Sequence, residues 1–343
     1  MSNEKTMPVV GFYEGLPIED PNSFIDARLP LPKAQDRDLL VQVKAISINP
    51  VDTKLRKKTK KQKELQVLGF DTVGEIAEIG NAVQNFQVGD RVFYAGTTKR
   101  SGSNQAFQLV DERIVALAPK NLTDEQAAAL PLTSLTAFEL LFEKFGVIPE
   151  KNANVGKSIL IINGAGGVGS ILSQLASWAG LEVFATSSPR NFDWIKSNGV
   201  SFPIDYHGNI KENINKKERT SFDFIAVLFD ITAYFDQIKT LIKPLGHIGT
   251  IVEISKPLEI GVWKNQSVSF DWEYMFAKTD FDYQIETQGK TLQWMTDLVE
   301  QDELSSTLTK TYASGIHANN IKKATKDVES GHMYGKVVVS GPF

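Results

Sequence analysis

The sequence predicts an α/β protein in which a doubly wound parallel sheet is joined to a compact β-rich domain. Three observations carry that expectation. From Ser158 onward, short apolar strands alternate with helical segments, the pattern that right-handed crossovers turn into a parallel sheet covered on both faces. One of those strands runs directly into Gly164, Gly166 and Gly169, which open a helix. Before Leu117 the chain instead shows short alternating strands separated by turns rich in Gly, Asn, Asp and Pro.

In the β-rich part, strands are predicted over 39–46, 72–79, 90–93 and 106–110. Thr123 followed by Gln126 has the capping-box spacing and predicts a short helix that Pro131 ends. A second helix is predicted over 134–144. Ile159, Leu160, Ile161 and Ile162 then form a buried strand, and the helix behind the glycines buries Val168, Ile171, Leu172, Leu175, Ala176 and Ala179 at three- and four-residue spacing. Gly180 closes that helix. Further strands are predicted over 182–186, 202–204, 222–228, 247–251 and 268–270, and from about Lys290 one or two helices precede a last strand over 336–339. The expected division is 1–130 for the β-rich domain, 131–277 for the doubly wound one, and 278–343 for a segment returning to the first.

The glycine turn is the most informative motif. Gly164 permits a tight strand-to-helix turn, Gly166 lets a pyrophosphate approach the backbone, and Gly169 brings helix and strand together. Free N–H groups of Gly166, Gly167, Val168 and Gly169 and the positive end of the helix dipole suit phosphate. Glycine-rich turns also serve as plain connections, but here the second strand completes a β-α-β unit, so a dinucleotide is expected. At the end of that second strand, roughly 20 residues past the glycines, NAD sites usually carry an acid for the ribose 2′-hydroxyl. This chain has Thr186, Ser187, Ser188 and then Arg190. Hydroxyls and a guanidinium can hold a 2′-phosphate that a carboxylate would repel, so NADPH is the expected cofactor. The competing reading makes Arg190 a solvated residue after the helix-opening Pro189.

With 343 residues and 42% hydrophobic content the chain can bury about two domains' worth of core. A net charge of −4 argues against nucleic acid and anionic membranes as partners. The opening Met1–Thr6 has no apolar signal segment and no stretch is long and apolar enough to span a bilayer, which leads us to expect a cytoplasmic protein. The absence of cysteine removes disulfides, thiolate catalysis and zinc–thiolate sites, and the four histidines show no ligand spacing, so no metal is expected. The basic run Arg56–Lys63 reads as a solvated face, or else as a field at a cleft mouth that steers anions.

Several segments taken in order resemble the medium-chain dehydrogenase/reductase superfamily and, more closely, its quinone oxidoreductase branch. They are Ser47-Ile-Asn-Pro-Val-Asp52, Gly69-Phe-Asp-Thr-Val-Gly74 with Gly80, Val88-Gly-Asp-Arg-Val-Phe93, Leu130-Pro-Leu-Thr-Ser-Leu-Thr-Ala137, the glycine turn, Ile204-Asp-Tyr206 and Gly331-His-Met-Tyr-Gly-Lys-Val-Val338. Phe93-Tyr-Ala-Gly96 and Val110-Asp-Glu-Arg-Ile-Val115 are similar to the subgroup called zinc-type alcohol dehydrogenase-like. The resemblance implies a Rossmann domain and a GroES-like catalytic domain. It also implies a homodimer built through the edge strand around Ser267–Phe270.

In the zinc-dependent relatives, Cys stands in the place of Asn49, His in that of Phe70, and Cys near Ala129; none of the residues here is a good zinc ligand. The resemblance therefore implies a zinc-independent reductase whose acceptors are already activated for hydride addition, namely quinones or α,β-unsaturated carbonyls. Carried over residue by residue, Asn49 and Asp52 line the nicotinamide and substrate cleft, Thr133 contacts the cofactor, and Arg190 and Tyr206 fall where relatives hold the 2′-phosphate. Ser187 belongs to the same strand end. Asn49 and Asp52 also read as a turn between strand and helix, Asn-Pro being a turn initiator. Lys54 replaces a family Tyr and could polarise a carbonyl, while Tyr94 is a candidate proton donor or a packing residue. The rivals are a non-catalytic NADPH-binding sensor or RNA-binding protein, and a zinc-dependent alcohol dehydrogenase.

Overall fold

The computed structural model describes residues 5–216 and 219–343, so Met1–Glu4, the start of the stretch read for a signal segment, lies outside the described residues. The chain divides into one unit of Met1–Leu132 with Phe276–Phe343 and another of Thr133–Met275.

In the first unit, β1 (Thr6–Gly11) and β2 (Ile25–Pro30) form an antiparallel ribbon. The long β3 (Asp38–Ile48) anchors a larger sheet with β4 (Asp71–Ile79), β5 (Arg91–Tyr94), β6 (Phe107–Asp111) and β7 (Val115–Leu117). Its strand order is Leu308–Tyr312, Lys336–Ser340, β3, β4, β5, β7, with β6 pairing β3 as well. Both faces of β3 are largely buried because it feeds two cores: Val43, Ile46 and Ile48 pack with Ile321, Val337 and Val339, while Leu39 and Val41 pack with Ile76, Val92 and Tyr94. Full burial of each such side chain is worth roughly 1.5–3 kcal/mol.

The segment after Asn49 is a helix, α1 (Pro50–Lys58), so Asn49 stands at a turn between strand and helix. Asn49 takes the extended N-cap conformation, Pro50 supplies a preset φ at the first helical position, and Asp52 Oδ2 accepts the Asn49 N–H at 2.8 Å. The strand Leu308–Tyr312 was not foreseen; it pairs in parallel with Lys336–Ser340. Its half-exposed pattern carries little apolar signal. By contrast α2 (Asp124–Ala128) has the expected capping box, Thr123 and Gln126 each accepting the other's N–H.

The helix predicted over 134–144 begins earlier, as α3 (Pro131–Phe138), and continues as a wider π-helical turn over Glu139–Lys144. In the second unit, β8 (Ser158–Ile162), β9 (Glu182–Ser187), β10 (Phe202–Asp205), β11 (Phe222–Val227), β12 (Ile242–Thr250) and β13 (Ser269–Trp272) are all parallel. They lie in the order β10-β9-β8-β11-β12-β13, so the winding reverses beside β8. Ligands bind at such reversals, outside the carboxyl ends of the strands. Every residue of β8 is buried, as a central parallel strand requires, and α4 (Gly167–Trp178) follows it. This is the doubly wound sheet that the alternation predicts.

Candidate functional site

At the carboxyl end of β8, Asn163 enters the left-handed region with φ +70. The turn is stitched to β9 by one residue: Thr186 Oγ1 accepts the Asn163 N–H and Thr186 O accepts the Gly164 N–H, both at 2.9 Å. The three glycines then separate by function. A Cβ on Gly164 would lie 2.6 Å from Ala185 Cβ, and one on Gly169 would lie 2.4 Å from Asn163 O, so both positions are fixed by packing of helix against strand. A Cβ on Gly166 would meet only the Asn163 side chain, at 3.2 Å. Gly166 is the N-cap of α4 and brings no capping side chain of its own, so a phosphate can take that place. The residues present thus fit a dinucleotide: a cradle without Cβ atoms at a helix N-terminus, beside the reversal of strand order.

Beyond β9, Ser187 is buried and Ser188 donates its hydroxyl to the Tyr206 hydroxyl at 3.1 Å. Arg190 is exposed on the single turn Pro189–Asn191 and makes no hydrogen bond or ion pair with any described residue. The half-exposed Tyr206 ring stacks on His207 with centroids 4.3 Å apart. Asp205, the acid nearest this group in sequence, is turned to His207, its Oδ1 lying 2.6 Å from Nδ1. Thr133 is buried in α3, within the same unit.

In the other unit, Asn49, Asp52, Asp71 and Lys336 form one buried polar cluster. Lys336 Nζ donates to Asp71 Oδ2 at 3.0 Å and to Asn49 Oδ1. Asn49 Nδ2 donates to the same Asp71 oxygen at 2.8 Å, and Asp71 Oδ1 accepts the Leu132 N–H at 2.7 Å. Asp52 Oδ2 accepts the Asn49 N–H, and its Oδ1 has no partner among the described residues. Burial pushes the Asp52 carboxyl up to about 7; Asp71 adds to that, while the Asn49 N–H and Lys336 oppose it. Asp71 and Lys336 were not singled out from the sequence. Each lies inside a segment that carried the family resemblance, but 265 residues separate them and only folding brings them together.

Lys54 is exposed on α1, on a helix position apart from that cluster's hydrogen bonds. Tyr94 is fully buried, its hydroxyl donates to Gln108 Oε1 at 2.9 Å, and burial raises the phenol above its ordinary range. Phe70 packs on Phe276 with centroids 4.6 Å apart, and Ala129 caps α2. With Asn49 spoken for at both ends of its amide, none of the positions 49, 70 and 129 offers a donor for zinc. The basic run is solvated only in part: Arg56 is 1% exposed, donates to Leu16 O at 2.6 Å and Glu329 Oε1 at 2.9 Å, and lies over the Phe24 ring.

The chain matches the alcohol dehydrogenase GroES-like domain over residues 35–119 and the zinc-binding dehydrogenase domain over residues 198–339. It is 39% identical to a zinc-type alcohol dehydrogenase-like protein of Staphylococcus epidermidis over 97% of this chain and 99% of that one. It is 34% identical to the chloroplastic NADPH-dependent alkenal/one oxidoreductase of Arabidopsis thaliana over 65% of this chain and 57% of that one. Among solved structures, a Rhizobium etli protein assigned to the zinc-dependent alcohol dehydrogenases superposes with a TM-score of 0.92 at 38% identity, covering 98% and 99% of the two chains. The quinone oxidoreductase of Coxiella burnetii superposes with a TM-score of 0.81 at 25% identity, covering 98% and 100%. The chain belongs to the medium-chain dehydrogenase/reductase superfamily, among the zinc-type alcohol dehydrogenase-like proteins of its quinone oxidoreductase branch. It is thereby an oxidoreductase of a family that binds a nicotinamide cofactor. No helix among the described residues is long and apolar enough to cross a membrane.

Proposed function

We propose that this chain is a zinc-independent reductase that uses NADPH to reduce quinones or α,β-unsaturated carbonyls. One observation supports the reading above the others: Asn49, which holds the place of a zinc-ligating Cys in relatives, has both ends of its amide engaged in a buried cluster with Asp71 and Lys336. Without a Lewis acid to polarise an alcohol or a simple ketone, acceptors that are already electron-poor react best. The alkenal/one and quinone oxidoreductases among its relatives have names consistent with that class.

When bound, the reduced nicotinamide supplies a hydride to the acceptor. On the protein side, Gly164, Gly166, Gly167, Val168 and Gly169 bind the pyrophosphate, and Ser187, Arg190 and Tyr206 hold the 2′-phosphate. Thr133 contacts the cofactor, and Asn49 and Asp52 serve the reacting end. Lys54 and Tyr94 take no part in this reading: the first stands out in solvent and the second has its proton committed to Gln108. Alignment of reactants contributes most of the rate. We further infer a homodimer formed along β13, the last strand in the order of its sheet, with a half-exposed Trp272.

The test is NADPH oxidation by phenanthrenequinone and by methyl vinyl ketone, followed by absorbance with and without a strong chelator. Turnover with either acceptor that the chelator leaves unchanged is the expected result. Alcohol-dependent reduction of NADP with stoichiometric zinc would replace this reading with the alcohol dehydrogenase one. NADPH binding without turnover, together with salt-sensitive retention of RNA on a filter, would replace it with the sensor.

A further inference from the structure

Asn163 stands at the start of the glycine turn, and its main chain is held on every side. Its N–H goes to Thr186 Oγ1 at 2.9 Å, its carbonyl accepts the Gly166 N–H at 3.4 Å, and the following N–H, of Gly164, goes to Thr186 O. A φ of +70 suits Asn, Asp or Gly and disfavours other residues, which alone would account for an asparagine here. The side chain is held far less. Asn163 is an exposed residue, and its side-chain hydrogen bond, from Nδ2 to Leu228 O, is 3.4 Å long, beyond the usual range of about 2.7–3.2 Å. The same amide covers the open side of Gly166. A Cβ placed on Gly166 would lie 3.2 Å from Asn163 Nδ2 and 3.6 Å from its Cγ and Oδ1, so the nitrogen is the nearest of the three. Gly166 is the N-cap of α4, where the first N–H groups of the helix lack intrahelical acceptors. An anion that reaches those N–H groups meets the Asn163 amide as well.

We propose that Asn163 is a movable arm for the dinucleotide pyrophosphate: its Nδ2 rests on Leu228 O in the free chain and passes to a phosphate oxygen when the nucleotide binds. This rests on the dinucleotide reading above and not on which acceptor is reduced. The exchange is favourable because a long bond between neutral groups is given up for one to an anion, which is shorter and roughly twice as strong. Leu228 O has a further use. By accepting Nδ2 it fixes which end of the amide stands beside Gly166 before the nucleotide arrives. An aspartate of the same shape, equally at ease with this φ, would present only acceptors.

The experiment compares Asn163→Gly and Asn163→Asp with the wild type, on the full chain, by fluorescence titration with NADPH and NADH and by calorimetric titration with adenosine 2′-monophosphate. Both replacements accept the left-handed φ, so both should unfold near the wild-type temperature. Asn163→Gly should lose about tenfold in affinity for NADPH and NADH alike, the low end of what a hydrogen bond to a charged group contributes. Asn163→Asp should lose about a hundredfold for both, and that loss should shrink in raised salt because charge repulsion has been added. Adenosine 2′-monophosphate carries no pyrophosphate and should bind all three proteins equally. In the wild type, the Asn163 side-chain amide resonances, identified by their absence from Asn163→Asp, should move when NADPH binds. Asn163→Gly binding both dinucleotides as the wild type does would show that the residue serves φ alone and would overturn the proposal. Unmoved amide resonances, or a loss shared by adenosine 2′-monophosphate, would overturn it too. A wild type that binds NADPH but reduces no acceptor would end the reductase reading and leave these titrations to decide on Asn163, whereas one that binds neither dinucleotide would end both.

Discussion

Lys336 on the C-terminal strand and Asp71 on β4 form an ion pair 3.0 Å long with 4% and 0% of their side chains exposed. Both charges are out of water, so the pair is worth little against an apolar replacement but much against a broken half. Lys336→Met alone should lower the unfolding free energy by about 3–5 kcal/mol, because Asp71 is left buried without its cation. Adding Asp71→Leu to Lys336→Met should recover part of that loss. Denaturant unfolding of the single and double variants measures the coupling, and simple additivity of the two losses would contradict the pairing.

Asp52 makes a contribution to stability that depends on pH with a definite sign. Its folded carboxyl titrates near 7, against an ordinary value of 3.8. Below 3.8 both folded and unfolded chains hold the proton. Between 3.8 and about 7 only the folded chain holds it, so this group lowers stability as pH rises through that window, and above it the effect is constant. The full span amounts to on the order of 4 kcal/mol. Asp52→Asn cannot ionise, and the difference in unfolding free energy between variant and wild type should grow in the variant's favour from acid to neutral pH. A difference that stays flat across the window would place the ionisation elsewhere.

The legibility of this chain follows from where the information lies. The fold of the Thr133–Met275 unit could be read because Ile159–Ile162, the glycines and the apolar face of α4 are local patterns, each set by neighbours in sequence. The capping box at Thr123 could be read for the same reason. A turn between strand and helix could be read from Asn49-Pro50, but the extent of α1 could not, because the helix has only one weakly apolar face. Arg56 is the sharper case. A run of cations looks solvated from sequence, yet Glu329 lies 273 residues away and takes one of them into the interior. The Asp52–Asn49–Asp71–Lys336 cluster fails to show in the sequence for that reason too: its members are set by strand pairing of β3 with both β4 and the C-terminal strand.

The glycines of the turn should respond differently to the same substitution. Gly169→Ala puts a methyl group 2.4 Å from the Asn163 carbonyl, and Gly164→Ala puts one 2.6 Å from Ala185 Cβ; neither backbone neighbourhood can yield cheaply. Both variants should lose about 1–3 kcal/mol of stability. Gly166→Ala meets only a movable Asn163 side chain, so it should fold normally and lose affinity for NADPH and NADH by equal factors. Thermal unfolding together with fluorescence titration of both nucleotides separates these outcomes, and a Gly166→Ala protein that binds NADPH as the wild type does would remove the pyrophosphate from this turn.

Cofactor preference turns on one guanidinium. Arg190 is exposed, has no carboxylate partner among the described residues, and stands two residues beyond Ser188, which is itself bonded to Tyr206. The side chain therefore does not have to break an existing ion pair in order to meet a phosphate. A charged hydrogen bond of roughly 1.5–3 kcal/mol corresponds to about a ten- to a hundredfold change in affinity. Arg190→Ala should weaken NADPH by that factor and leave NADH within about twofold, since only the former carries the 2′-phosphate. Arg190→Lys keeps the charge but not the planar fork, so it should recover part of the loss. The loss should also shrink as salt is raised, because an exposed ion pair is screened. Equal weakening of both nucleotides would show that Arg190 shapes the strand end rather than reading the phosphate.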